Sequence, residues 1–175
     1  HKNLKEIYGS LNNPNDWEQT VKDFSPDCCI HLAWNGIPDY SLKICRDNIN
    51  QNLIFLETIA KIGIPKLLVS GSCWEYGTLT GKLNEDQIPI SPSDFAISKL
   101  TIKAFIENLQ RNYGIEYIWA RLFFCYGPGQ KNSSLIPTLW RNIRNNIEIN
   151  IKTPFTSQDY VFIEDIAKAI LVLTE

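Results

Sequence analysis

Ser70 and Ser72 flank Gly71 directly after a short apolar run, KLLV. A hydroxyl at the end of a buried strand can donate a hydrogen bond to a carbonyl or hydroxyl of a substrate. Lys99 stands 27 residues after Ser72 and four after Phe95, so on a helix its ammonium and the ring share a face. Serines at strand ends also cap loops, and lysines are usually solvated surface charges. What sets this pair apart is its context: SDFAISKL follows a long loop, GSCWEYGTLTGKLNEDQIPISPS, punctuated by Gly77, Gly81, Pro89 and Pro92. Long loops inside compact domains tend to carry function. Other chemistry is poorly represented. The two histidines, His1 and His31, have no carboxylate cluster beside them, so no metal site is expected. Cys125 lies in an apolar run whose one basic neighbour is Arg121, and reads as a packed thiol. Trp34 and Trp74 fall in loops and can stack on a ring, whereas Trp17, Trp119 and Trp140 read as core or pocket lining.

The elements that must position these residues alternate. Asn15 and Asp16 can cap a short helix through Phe24, with Trp17, Val21 and Phe24 at helical spacing. The run 28–32, CCIHL, reads as a strand buried on both faces. Over 41–62 the apolar positions Leu42, Cys45, Ile49, Leu53, Leu56 and Ile59 recur every three or four residues until Gly63 and Pro65 stop the helix. A strand over 66–70 follows. Ser93 and Asp94 can cap a helix over 93–113, ended by Gly114, with Ile97, Thr101, Ala104, Phe105 and Leu109 on one stripe. A strand over 116–124, a helix over 135–145, a strand over 159–162 and a helix over 164–173 complete the pattern. It predicts an α/β fold with a mostly parallel sheet, whose ligand crevice lies beyond the carboxyl ends of the strands. The informative loops are then those after Leu32, Ser70 and Phe124.

Composition narrows the function further. With 175 residues, 44% hydrophobic and 21% charged, the chain can build a sizeable core. Its 17 basic and 19 acidic residues leave a formal charge of −2, so no nucleic-acid or acidic-membrane partner is expected from charge. The five cysteines contain no C-x-x-C pair and read as buried free thiols of a cytoplasmic protein. The stretch 166–173 is too short to span a bilayer.

Taken in order, six segments resemble the extended short-chain dehydrogenase/reductase family, the NAD-dependent nucleotide-sugar epimerases and dehydratases. IHLAW is similar to the family's HLAA, VSGSCWEYG to SSSxxxYG, and FAISK to YxxSK. RLFFCYGPGQ resembles RxFNxYGPGQ, SLIP the base-binding stretch, and QDYVFIEDIAKAI the RDFVxVxDxA segment. The resemblance implies a Rossmann-like parallel sheet with flanking helices, here incomplete at the N-terminus, and the start of a small substrate-binding region. By its pattern, residues 1–130 are a partial dinucleotide-binding domain, 131–157 part of the substrate region, and 158–175 a return to the first domain.

It also implies roles. Ser72 holds the sugar's reacting oxygen, and Lys99 binds the nicotinamide ribose and lowers the pKa of a neighbouring tyrosine. His31, Ala33 and Ser70 line the cofactor, which is NAD or NADP. Trp74, Phe124, Leu135, Ile136 and Gln158 join Ser72 toward a nucleotide-sugar substrate, and the helices over 41–62 and 93–113 pair in a homodimer. Activity is expected to be epimerisation or keto-sugar reduction through hydride transfer.

The departures from the pattern bear on the chemistry. The tyrosine position holds Phe95, which has no ionisable proton; Tyr76, Tyr40 or a water held by Ser72 and Lys99 are the alternatives, or the chain is a non-catalytic binder of a nucleotide sugar or protein partner. The glycine-rich phosphate loop has no counterpart among the nine glycines, so the chain is expected to begin after that unit, with Ser10 where an adenine-contacting Asp is common. Gln158 replaces an arginine that pairs with diphosphate. Cys73 and Trp74 stand where dehydratases carry an Asp-Glu pair, with Glu75 one place later, which disfavours dehydration.

Overall fold

The computed structural model describes residues 4–151 and 153–175; His1 lies outside the described residues. The chain forms two compact units, one running to Arg121 and the other spanning Leu122–Leu173.

In the first unit, Pro14 opens a 3-10 turn over Pro14–Asp16, and α1 (Glu18–Phe24) starts one residue later with Trp17 as its cap. Asn15 and Asp16 therefore do not cap the helix. The Asp16 carboxylate is occupied by Asn13 Nδ2 at 2.7 Å and by the Ser10 N–H at 3.2 Å, which ties the turn to the preceding loop. Strands β1 (Cys28–His31), β2 (Lys66–Ser72) and β3 (Glu116–Leu122) form one sheet in the order β1-β2-β3, with β1 parallel to β2 in the register Cys28 opposite Lys66 to His31 opposite Val69. Helices α2 (Leu42–Ile62) and α3 (Asp94–Tyr113) pack on each other, and their cores join that of the sheet. This is the α/β arrangement with a parallel sheet that the alternation predicts, in the Rossmann-like form with flanking helices that the resemblance implies.

The core lies at one end of these helices. Leu56, Ile59, Leu67, Val69, Ile102, Ile106 and Leu109 are all essentially inaccessible and form one cluster with Trp17. Burying an aliphatic side chain of this size is worth about 1.5–3 kcal/mol.

Several expectations are corrected. Strand β1 is not buried on both faces, since Ile30 and Leu32 are exposed; β1 is an edge of the described sheet. The β2 strand runs two residues beyond Ser70, because Gly71 and Ser72 stay extended before the next turn. On α3, Ile97 is exposed, as are Thr101 and Ala104; the buried stripe is Phe95, Ala96, Lys99, Ile102, Ile106 and Leu109. Counting only apolar residues mis-phased the helix, because one member of the buried face is a lysine. The same occurs on α2, where Asn48 and Asn52 are buried in line with Cys45, Leu56 and Ile59, while Leu42 is exposed. Of the cysteines, all free, Cys45 is buried and the other four are half-buried. Ser93 caps α3 as expected, its Oγ accepting the Ala96 N–H at 3.3 Å.

The expected strand over 116–124 divides at Phe123. Beyond β3, β4 (Phe124–Tyr126) belongs to the second unit and pairs in parallel with β5 (Tyr160–Phe162) as a separate two-stranded sheet. Ring contacts Phe124–Tyr160 and Tyr126–Phe162, at 5.8 and 5.5 Å, reinforce this pairing. Helices α4 (Leu135–Arg144) and α5 (Ile163–Thr174) complete the chain.

Candidate active site

Ser72 is set by the end of β2. Its backbone is extended, and it caps a 3-10 turn, Cys73–Tyr76, in a reciprocal box. The Trp74 N–H donates to Ser72 Oγ at 3.2 Å, and the Ser72 N–H donates to Glu75 Oε1 at 2.6 Å. Accepting from Trp74 uses a lone pair of the Ser72 hydroxyl and leaves its proton for another acceptor.

Glu75 is fully buried, and its other oxygen accepts from Trp119 Nε1 and Arg121 Nε, both at 2.9 Å. Arg121 also donates to the Glu85 carbonyl at 2.9 Å and lies 4.7 Å over the Tyr76 ring. One carboxylate thus locks the turn, β3 and the long loop around Ser72. Gly71 is required by this packing, because a Cβ there would collide with Trp119 Nε1 and come within 2.6 Å of Glu75 Oε1. Sequence reading passed over Glu75 as a structural residue, although the S-x-x-E spacing of Ser72 and Glu75 is the signature of a capping box.

Lys99 comes to the same place from the first turns of α3. It is 5% exposed, so it is not the solvated surface charge that lysines usually are. Its Nζ donates to the Ser70 carbonyl at 2.8 Å and sits 4.7 Å over the Trp34 ring and 6.0 Å from the Phe95 ring. Burial lowers its pKa to about 8, opposed by the negative charge of Glu75. The group keeps its proton at neutral pH but loses it far more readily than a surface lysine.

Phe95 is the hub of a ring cluster. Trp34 meets it edge-on at 4.9 Å, Tyr40 at 4.9 Å, and Trp74 edge-on at 5.7 Å, while Tyr40 and Trp74 are themselves 5.2 Å apart. Trp74 is 41% exposed and opens the cluster to solvent. Of the two tyrosines weighed as substitutes, Tyr40 shares this cluster, whereas Tyr76 is buried beside Arg121.

His31, at the carboxyl end of β1, is buried; its Nε2 is 2.6 Å from Asn52 Oδ1 and its ring stacks on Phe55. Burial and, secondarily, the Lys99 charge lower its pKa against the opposing bond to Asn52, so the neutral ring is favoured. Asn48, one turn before Asn52, accepts from the Asn35 N–H at 2.8 Å and donates to the Asn35 carbonyl at 3.0 Å, which fixes the loop after β1. That loop bounds a depression of about 340 Å³ lined by Leu11, Leu32, Ala33, Trp34, Asn35, Asn48 and Gln51. Ala33 is exposed there.

The structure thus gathers Ser70, Ser72, Trp74, Phe95 and Lys99 around one strand end, with His31 and Ala33 at the adjacent one. Phe124, Leu135, Ile136 and Gln158 belong to the second unit; there Phe124 and Ile136 are half-buried, and Leu135 and Gln158 are exposed. Among the described residues, no cluster of three or more His, Cys, Asp or Glu could hold a metal, and no helix is long and apolar enough to cross a membrane.

Fold and site together define a Rossmann-like α/β domain with a serine and a buried lysine at a strand end. The sequence profile of the NAD dependent epimerase/dehydratase family matches residues 1–175, and the chain belongs to that family. Staphylococcus aureus Protein CapI is 24% identical over 167 residues, covering 91% of this chain and 50% of that protein. The dTDP-6-deoxy-L-talose 4-dehydrogenase (NAD(+)) of Aggregatibacter actinomycetemcomitans is 23% identical over 150 residues, covering 82% and 54%. The chain therefore spans about half the length of these relatives. Among solved structures, Thermotoga maritima UDP-glucose 4-epimerase with UDP-glucose superposes with a TM-score of 0.83 at 23% identity, covering 100% of this chain and 60% of that one. The Methanobrevibacter ruminantium UDP-N-acetylglucosamine 4-epimerase in complex with UDP-N-acetylmuramic acid gives 0.84 at 26% identity, covering 99% and 58%.

Proposed function

We propose that this chain is part of an NAD(P)-dependent enzyme that acts on a nucleotide-activated sugar by epimerisation or keto-sugar reduction. The observation that carries the reading is the convergence of Ser72, Phe95 and Lys99 at the end of β2, with Lys99 buried and bonded to Ser70. In this reading Lys99 and Ser70 hold the nicotinamide ribose side, Ala33 and His31 the remainder of the cofactor, and Ser72 donates to the sugar oxygen that becomes a carbonyl. A nicotinamide dinucleotide held by Lys99, Ser70, Ala33 and His31 would supply the hydride-transfer chemistry. The open depression beside Ala33 and the buried cation fit such a group; a dinucleotide has hydroxyls and phosphates for both. Trp74 offers a half-exposed ring to the sugar. Phe124, Leu135, Ile136 and Gln158 are assigned to the substrate's nucleotide, and residues 131–157 to the substrate-binding region.

Phe95 favours a second reading, in which the chain binds a nucleotide sugar without turning it over. Its ring is 8% exposed, packed among three others, and offers no proton. Tyr40 is the phenol in its cluster. The two readings separate in one experiment with UDP-glucose and NAD. Turnover that arises only in Phe95→Tyr supports the binder, whereas turnover in the unmodified chain, abolished in Tyr40→Phe, supports the enzyme with Tyr40 as its proton-exchanging group. Absence of any NADH binding, followed by its fluorescence, overturns the enzyme reading, and absence of UDP-glucose binding overturns the second.

The outward sides of α2 and α3 expose Leu42, Ile54 and Ile97, which supports homodimer pairing through 41–62 and 93–113. A monomeric mass by light scattering refutes it. The free thiols fit a reducing cytoplasm.

A further inference from the structure

Trp34 stands at the second alanine of the HLAA-like segment, and three independent features meet in its side chain. It lines the depression at the end of β1. Its ring carries the Lys99 ammonium at 4.7 Å. Its indole N–H is shut away from solvent and has no acceptor among the described residues. The other characterised indoles behave differently: Trp17 Nε1 donates to the Ser10 carbonyl and Trp119 Nε1 to Glu75, both at 2.9 Å. A buried donor left without a partner is a standing free-energy penalty and is rare in folded proteins.

We propose that Trp34 is a gating and binding residue of the cofactor site: its indole turns out of the stack with Lys99 and donates its N–H to a ribose or phosphate oxygen of a nicotinamide dinucleotide. The movement satisfies an orphaned donor and uncovers the face of the ammonium that the ring occupies. Both changes occur only when ligand oxygens arrive, so they add to affinity rather than to the stability of the free protein. The neighbours permit the turn. Trp34 is half-buried, the Asn48 side-chain amide bonds the backbone of its neighbour Asn35 rather than the indole, and the depression it lines is open. The Phe95 ring meets it edge-on and contributes no hydrogen bond that would hold it back.

This inference rests on the cofactor reading above, and Trp34→Phe distinguishes the two. Phenylalanine keeps a ring over Lys99 and removes the N–H. The expected result is NADH binding weakened about fivefold together with a melting temperature of the free protein equal to or above that of the unmodified chain. NADH binding unchanged by Trp34→Phe overturns the inference and leaves the cofactor reading intact. No NADH binding by the unmodified chain overturns both. The unmodified protein supplies a readout independent of any variant: of its five indole N–H resonances, one is to shift and gain protection from solvent exchange on NADH addition. Five unmoved resonances at saturating NADH refute the gate.

Discussion

The two ends of α2 and α3 are built to opposite rules. From the middle of each helix toward its carboxyl end, Leu56, Ile59, Ala60, Ile102, Ile106 and Leu109 join one dry cluster. Their amino halves bury Asn48, Asn52, Ser98 and Lys99, each tied by hydrogen bonds to backbone or to a neighbouring side chain. In an α/β sheet a helix starts near the carboxyl end of the strand before it, which is where ligands bind. Most of the buried polar residues therefore sit at the crevice end, beside the apolar Cys45, Phe95 and Ala96, and the end that holds the fold together is apolar apart from Thr58. Burial of an amide or ammonium is tolerable only where partners are fixed, and these partners are the loops that shape the site.

The largest effect is expected at the buried charge pair that fixes the turn after β2. Glu75→Ala leaves Arg121 buried without its carboxylate and is expected to lower stability by about 3–5 kcal/mol, read by urea denaturation; a loss below 1 kcal/mol contradicts the locking role. At the dry end, Leu56→Ala is expected to lose about 3 kcal/mol while the folded protein's NADH affinity stays unchanged. A parallel drop in affinity at temperatures where the variant is folded would show that the two ends are not separable. At the crevice end, Lys99→Met removes a buried cation of similar length, and the expectation is inverted: stability held or raised, NADH binding lost.

Lys99 also predicts a pH dependence. Its folded pKa of about 8 lies below the ordinary lysine value, so between about pH 8 and 10.5 the unfolded chain binds the proton that the folded one has released. Stability contributed by this group rises with pH across that window, and the rise is absent in Lys99→Met. Asn48→Ala, which frees the Asn35 backbone, is expected to lose about 1–2 kcal/mol and to broaden the loop after β1, followed by amide exchange at Asn35. The smallest effect belongs to Leu42→Ala at an exposed position, within about 0.5 kcal/mol.

Much of this was legible beforehand. The alternation of strand and helix, the stops at Gly63 and Gly114 and the Ser93 cap follow from spacing and local chemistry, which act over a few residues, whereas the neighbourhood of Ser72 with Phe95 and Lys99 follows from the family resemblance. The phase of α3 did not, because a rule that places apolar residues inside sorts Lys99 to the outside. The split at Phe123 was equally hidden, since RLFF continues a strand pattern while the pairing that ends it involves β5, some 35 residues later. Glu75 sat in plain view as part of a capping box, yet nothing local shows that Trp119 and Arg121 come to meet it.

From the residues alone came the class of fold, the family pattern and the loss of an ionisable proton at position 95, because each depends on covalent identity and short-range periodicity. Only the folded arrangement decided that Lys99 is buried and weakly basic, that Tyr40 rather than Tyr76 neighbours Phe95, and that the Trp34 indole is left without an acceptor. Those outcomes depend on which distant segments exclude water from a given atom, and solvent exclusion is a property of the packed molecule.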